Sequence, residues 1–273
     1  MAENKSGVDD TLTAVSGEWE FDEDVADSFD SHVRKSVPFY DEVQRMVVEL
    51  SEYFVREDST VYDLGCSTGE TLARLLDLHA NKQTRFIGVE LSESMAGQAR
   101  SNVGSDRVRV LNQNVLDTSF SPSPDFVTAL YTLQFLTLSE RRELLEQLYE
   151  ALNEGAALVF TEKVHSNDAQ FEDMWLELFW DFKRRQGLSP DEILQKACSI
   201  RGVLKPLSNQ ENLNLLRQAG FERVTTFFQW YNWTGFIAVK NRSTDCDRSS
   251  DLKADREDRG SLSNHDPEDV NNE

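Results

Sequence analysis

Cysteine is scarce in this chain: three residues in 273, Cys66, Cys198 and Cys246, with no CxxC pair among them. The four histidines (His32, His79, His165 and His265) stand near none of them, so neither a structural zinc site nor a disulfide framework is expected. Long apolar runs are missing as well. Stretches such as AALVF at 156–160 fall far short of a bilayer-spanning helix. The first two dozen residues lack the basic start and apolar centre of a secretory signal, which predicts a cytoplasmic location. Positive charge is in deficit: 28 Lys and Arg against 49 Asp and Glu give a formal net charge of −21, and the acids are spread along the whole chain. Such a surface repels phosphate backbones and anionic lipids, so neither direct nucleic-acid binding nor a membrane is expected.

What is present suits one sizeable domain with tails. Hydrophobic residues make up 39% and aromatics 10%, enough to build a large core. Residues 1–20, and everything from Asn241 onward, are polar and charged and read as disordered tails, the second acidic. Between them, over 21–240, strand and helix signals alternate. PFYDEVQRMVVELSEYFV predicts a helix with Pro38 in its first turn and Val43, Met46, Val47 and Leu50 on one face. TVYDLG, RFIGVEL, RVRVLNQN, DFVTAL and AALVFTEKV read as strands separated by helices, one capped by Ser92 and one by Ser139. Apolar strands alternating with helices indicate a parallel sheet covered on both faces. From 168 to 218 no strand is evident, only three helical segments; RVTTFFQWYNW and GFIAVKN then form a hairpin. The expected fold is α/β: a Rossmann-like, seven-stranded, mostly parallel sheet with a C-terminal antiparallel hairpin, and a helical lid insertion before the last two strands.

The chemistry concentrates in VYDLGCSTGE, Val61 to Glu70. In an open α/β sheet, ligands bind beyond the carboxyl ends of the strands where the strand order reverses, and this is the first such end. Gly65 and Gly69 let the backbone approach a ligand closely. No GKS or GKT follows, so this is not a P-loop, and it is not a strict GxGxxG fingerprint. Asp63 and Glu70 bring negative charge to where a pyrophosphate would lie. A cofactor with ribose, adenine and a positive centre but no phosphate fits better, and S-adenosyl-L-methionine is that molecule. Glu90 ends the next strand, where its carboxylate can accept two ribose hydroxyls. Asn114 closes the third, where its side-chain oxygen can accept from the adenine amine. Asp63 is placed to help hold the methionine end, directly or through water. Ser67 and Cys66 complete the loop, Cys66 as a small apolar side chain. The backbone positions beside the two anchors, Leu91 and Val115, join the expected contacts.

Several of these segments carry a family resemblance. FDEDVADSFDSHVRKSVPFYDEVQRMV, VYDLGCSTGETL, YTLQFL with SERRELLEQLYEALNEGAALVFTEKV, and DFKRRQGLSPDEILQK through LLRQAGFERVTTFFQWYNWTGFIAVK together resemble the carboxy-S-adenosylmethionine synthase branch of the class I S-adenosylmethionine-dependent methyltransferases, from about Phe21 to Lys240. The resemblance implies that Tyr40, Gly65, Cys66 and Ser67 contact the cofactor. Glu90 and Asn114 stand where the family has Asp. It further implies a product made from S-adenosylmethionine and prephenate, used by a partner enzyme on tRNA wobble uridine, and a homodimer. Two positions depart from the family: Leu130 replaces an asparagine, and Ala197 replaces the arginine that pairs with the product's carboxylate. Truncating one partner of such a desolvated charge pair costs about 2–5 kcal/mol. Arg201, one helical turn further on, is a candidate to compensate.

Three functions are therefore open: a methyltransferase acting on a small molecule, the synthase itself, or a cofactor-binding protein without turnover. No residue stands out as a general base, which is tolerable because the sulfonium methyl is already activated and the protein need mainly align a nucleophile. For the acceptor, Tyr131, Trp230 and Tyr231, with Phe227 and Phe228, are candidate pocket walls. Lys183, Arg184, Arg185 and Arg201 are candidate partners for an anionic group.

Overall fold

The computed structural model of the protein describes residues 32–242. The expected tail 1–20 lies outside the described residues, as does the expected tail 241–273 apart from Asn241 and Arg242.

A seven-stranded sheet organises the described chain. Its strands are β1 (Thr60–Leu64), β2 (Arg85–Glu90), β3 (Val108–Asn112), β4 (Phe126–Leu130), β5 (Ala157–Lys163), β6 (Arg223–Trp230) and β7 (Trp233–Val239), in the spatial order β3-β2-β1-β4-β5-β7-β6. The pairs among β1 to β5 are parallel, while β7 runs antiparallel to both β5 and β6. The seven-stranded α/β architecture with its C-terminal hairpin is thus as expected. The strand order reverses between β1 and β4, and a crevice opens there beyond their carboxyl ends.

Burial follows from this topology. Every residue of β1 and β4 is buried, as expected for central parallel strands. On one face Val61, Phe86, Phe126 and Val159 pack with Val43 and Val47 of α1 (Tyr40–Ser51) and Leu72 and Leu75 of α2 (Glu70–Leu78). α3 (Glu93–Val103) joins them through Ala96 and Ala99. On the other face Tyr62, Leu64, Val127 and Phe160 pack with Leu144 and Leu148 of α4 (Leu138–Ala151).

The insertion after β5 divides in two. α5 (Ala169–Arg185) and α6 (Pro190–Ser199) stand over the crevice, whereas α7 (Asn209–Gln218) buries Leu215 and Leu216 in the second core. α7 is therefore a covering helix of the sheet, and of the three helices only α5 and α6 contribute to the lining of the crevice.

Two helix starts differ from expectation. Residues 32–36 form their own helical turn, and Phe39, in the left-handed region at φ 55°, breaks the chain before α1, so Pro38 precedes that helix. α4 is capped by Thr137, not Ser139: Thr137 and Glu140 form a reciprocal capping box, which satisfies two backbone donors at once. Ser92 caps α3 as expected, accepting from the Met95 amide, and Met95 is buried.

Candidate active site

The loop after β1 is held by its own backbone. Gly65 and Cys66 both donate to the carbonyl of Val89 at the end of β2, at 2.7 and 3.1 Å. Gly65 has φ 70°, and a Cβ there would lie 2.3 Å from Thr132 Oγ1, so only glycine fits. Gly69 has φ 86° at the N-cap of α2, with Ala99 and Val103 of α3 against it. Ser67 is also left-handed, at φ 51°, an uncommon conformation for a residue with a side chain. Glu90 fixes it: one carboxylate oxygen accepts from the Ser67 amide and the other from the Ser92 amide, both at 2.9 Å. Burial raises the Glu90 pKa, and the amides of Ser92, Ser67 and Leu91 oppose that shift. With three amides bearing on its roughly four lone-pair sites, the carboxylate, which lines the crevice, retains some acceptor capacity.

A cavity of about 830 Å³ opens over this loop, within the range of about 300–1,000 Å³ usual for ligand sites. Of the residues expected to contact cofactor, Tyr40, Gly65, Cys66, Ser67, Glu90, Leu91, Asn114 and Val115 line it. Asn114 lies two residues beyond the end of β3. It caps a short 3-10 turn, its Oδ1 accepting from the Leu116 amide at 3.0 Å, so an adenine contact there falls to the remaining lone pair or the amide nitrogen.

Asp63 and Gly69 are not in the lining. Asp63 sits beneath the loop, buried, accepting from Thr128 Oγ1 at 2.7 Å, while its other oxygen has no hydrogen-bond partner among the described residues. Burial pushes its pKa up to about 7; the Thr128 bond opposes this and the nearby Glu90 adds to it. Cys66 is buried and burial drives its thiol far above the ordinary range, consistent with an inert apolar wall.

The acceptor-side expectations divide. Tyr131, left-handed at φ 60°, lines the cavity; its ring stacks on Tyr40 at 5.9 Å between centroids and meets Trp233 edge-on. Lys183 also lines it. Trp230 and Tyr231 do not: they lie at the end of the edge strand β6, where Trp230 packs on Phe39, Phe182 and Tyr231. Arg184 is exposed, 4.0 Å from Asp181. Arg201 is exposed too, and is not in the lining; Lys196, immediately before Ala197, is.

Several lining residues escaped the sequence reading. Lys163 at the end of β5, Phe179 on α5, Gln134, His32 and Trp233 all face the cavity. Gln134 stitches two strand ends together, accepting from the Lys163 amide at 2.9 Å and donating to the Tyr131 carbonyl at 3.1 Å. Its signal was the TLQFL stretch itself, where a glutamine in an apolar context must find backbone partners. Glu162, beside Lys163, points to the opposite face. There it accepts from Arg141 at 2.8 Å and from Asn212 at 2.6 Å, in a network no more than 2% exposed.

The residues fit S-adenosyl-L-methionine. The Gly65 bend leaves room where a side chain would stand, and Glu90 offers acceptor capacity for a sugar and a negative charge that favours a positive centre. When bound, that cofactor supplies an activated one-carbon group on sulfur. Among the described residues no cluster suited to a metal ion is found.

Comparison with known proteins agrees with this geometry. Residues 61–155 match the family model described as methyltransferase domain. The chain is 36% identical over 224 residues to the carboxy-S-adenosyl-L-methionine synthase of Staphylococcus epidermidis, covering 82% of this chain and 97% of that one. It is 37% identical over 234 residues to the protein of the same name from Wolinella succinogenes, covering 83% and 95%. Among solved structures, an O-methyltransferase family protein from Burkholderia thailandensis aligns with a TM-score of 0.58 at 21% identity, over 82% of this chain and 61% of that longer one. Human N-acetylserotonin methyltransferase in complex with its cofactor aligns at 0.54 and 12% identity, over 81% and 56%. The chain belongs to the carboxy-S-adenosyl-L-methionine synthase family, a branch of the class I S-adenosylmethionine-dependent methyltransferases.

Proposed function

We propose that the protein is an S-adenosylmethionine-dependent one-carbon transferase whose acceptor is a small anionic molecule. The observation that carries this reading is the segregation of charge within one cavity. Glu90 lines it at the end of β2, whereas Lys163, Lys183 and Lys196 line it from β5, α5 and α6; Glu70, also in the lining, is paired with Arg34 and Arg74, and Glu140 is taken up in the cap of α4. A cationic sulfonium suits the first end and a carboxylate-bearing acceptor the second. The acceptor would then lie between sulfonium and lysines, where both favour its negative charge. Tyr40 and Tyr131, stacked between the two ends, would set the approach and exclude water.

A second reading is the synthase activity named for the relatives. Lys196 favours it, offering a cavity-lining cation beside Ala197, where the family has arginine. One experiment separates the two. The purified protein is incubated with S-adenosylmethionine, with and without prephenate, and the bound and released nucleosides are weighed. S-adenosylhomocysteine formed together with a methylated acceptor, independently of prephenate, supports the first reading. A prephenate-dependent gain of one carboxyl group on the cofactor supports the second, and an unaltered bound cofactor contradicts both.

No described helix is long and apolar enough to cross a membrane. We further infer a homodimer in the cytoplasm. Phe171, Met174 and Trp180 of α5 and Leu194 of α6 are exposed apolar side chains, and a second copy of the chain would cover them. Light scattering showing a monomer at micromolar concentration would overturn the dimer.

A further inference from the structure

α5 is amphipathic in an unusual sense: its two buried residues are Phe179 and, one turn later, Lys183. Lys183 is 6% exposed and its Nζ lies 4.5 Å from the centre of the Phe179 ring. Lys163, from the end of β5, brings a second Nζ to 5.7 Å from the same ring. Both line the cavity, and neither forms an ion pair with a described carboxylate. The other charged groups near this corner are His32 and Lys35 from the turn over 32–36 and Lys196 and Glu192 from α6, with Glu172 of α5 on the Lys163 side; His32 and Lys196 line the cavity. An amine with little water, no ion pair to a described carboxylate and a neighbouring ammonium is in the arrangement that leaves a lysine unprotonated and nucleophilic.

We propose that Lys183 is a covalent site for a small oxo acid, its amine condensing with the carbonyl while Lys163 holds the carboxylate. The Nζ lone pair forms the C–N bond, the C–O bond breaks, and the two amine hydrogens leave with the carbonyl oxygen as water. No oxidation or reduction accompanies the step. Burial, reinforced by Lys163, lowers the Lys183 pKa to about 8. At pH 7.5 roughly a quarter of such amines are neutral, against about one in a thousand at an exposed lysine. Burial also lowers Lys163, but Glu172 opposes the shift and favours keeping it an ammonium partner for the carboxylate. The inference rests on reading the lysine end of the cavity as the acceptor compartment, and goes beyond it in assigning a covalent bond.

The test uses pyruvate as probe with the full-length chain. Cyanoborohydride reduces any imine to a stable secondary amine, and peptide mass spectrometry locates it. The expected result is a single adduct on Lys183, formed at least about tenfold faster than on exposed Lys205, and faster by about tenfold at pH 8 than at pH 6.5. Lys183→Arg and Lys183→Met abolish it, and Lys163→Met weakens labelling by pyruvate more than by uncharged acetone. Labelling spread over the lysines according to exposure, or unchanged in either Lys183 variant, overturns the proposal. S-adenosylmethionine titrated into the same samples reports whether each variant is folded. Wild-type protein that binds the cofactor but forms no Lys183 adduct refutes the covalent site alone, leaving the proposed function standing.

Discussion

The amide of Ser67 donates to Glu90 Oε2 at 2.9 Å, joining the loop after β1 to the end of β2. Because Oε1 of the same carboxylate takes the Ser92 amide, Glu90 holds the loop and the start of α3 before any ligand arrives. Glu90→Gln keeps the shape but replaces one acceptor by a donor, setting an N–H against a backbone N–H. Loss of one charge-assisted bond predicts destabilisation of about 1.5–3 kcal/mol, read by urea denaturation. An unchanged midpoint would show that the carboxylate does not organise the loop.

Gly65 allows a second prediction. Alanine there must adopt a left-handed conformation and displace Thr132, whose hydroxyl donates to the Leu64 carbonyl at 2.8 Å. Gly65→Ala should cost about 2–4 kcal/mol and weaken cofactor binding with it. Thermal melts with and without S-adenosylmethionine would check both effects; an alanine variant as stable as wild type would show that the bend is not sterically required.

Behind the cavity, Arg141 and Glu162 are 1% and 0% exposed, and the pair joins α4 to β5 while Asn212 adds α7. Burial raises the Glu162 pKa and Arg141 opposes the shift. Arg141→Met leaves an uncompensated buried carboxylate and should cost about 3–5 kcal/mol. Adding Glu162→Gln should recover part of that loss. Independent, additive effects in denaturant titrations would contradict a coupled pair.

Stability should fall with acidification. Buried His79 lies 2.7 Å from Ser51 Oγ at Nε2, and its Nδ1 accepts from Lys82 Nζ at 3.1 Å, a role open only to the neutral ring. Burial first and Lys82 second push its pKa down to about 4. Unfolded histidine titrates near about 6.5, so this contribution is complete above that pH and is lost progressively as pH falls toward 4. His32 in the cavity wall, also lowered to about 4, acts in the same direction. Between pH 7 and 5, His79→Gln should remove up to about 2 kcal/mol of the decline. A variant with the wild-type pH profile would show that His79 does not titrate with folding.

Much of this was legible in the sequence where local chemistry and topology coincide. The apolar runs of β1, β4 and β5 declared a covered parallel sheet, and the Gly65 bend followed from its position after the first strand. Elsewhere a neighbour decided. Thr137 outcompetes Ser139 as a cap because Glu140 returns its bond. Trp230 and Tyr231 were misplaced because the apolar pattern of β6 does not reveal that it is an edge strand, and its register shifts between Thr226 and Phe228. Lys163 was hidden because one basic residue at a strand end looks like any surface lysine until α5 folds over it. Arg141 and Glu162 resemble ordinary surface charges and become a buried pair only when α4 meets β5.

The most direct test of the account is calorimetric titration of S-adenosylmethionine into the full-length protein and its Glu90→Ala variant. Saturable binding of one molecule per chain, weakened about 30-fold or more by the substitution, is the predicted result. Absence of binding to the wild-type chain, or equal affinity in the two proteins, would contradict it.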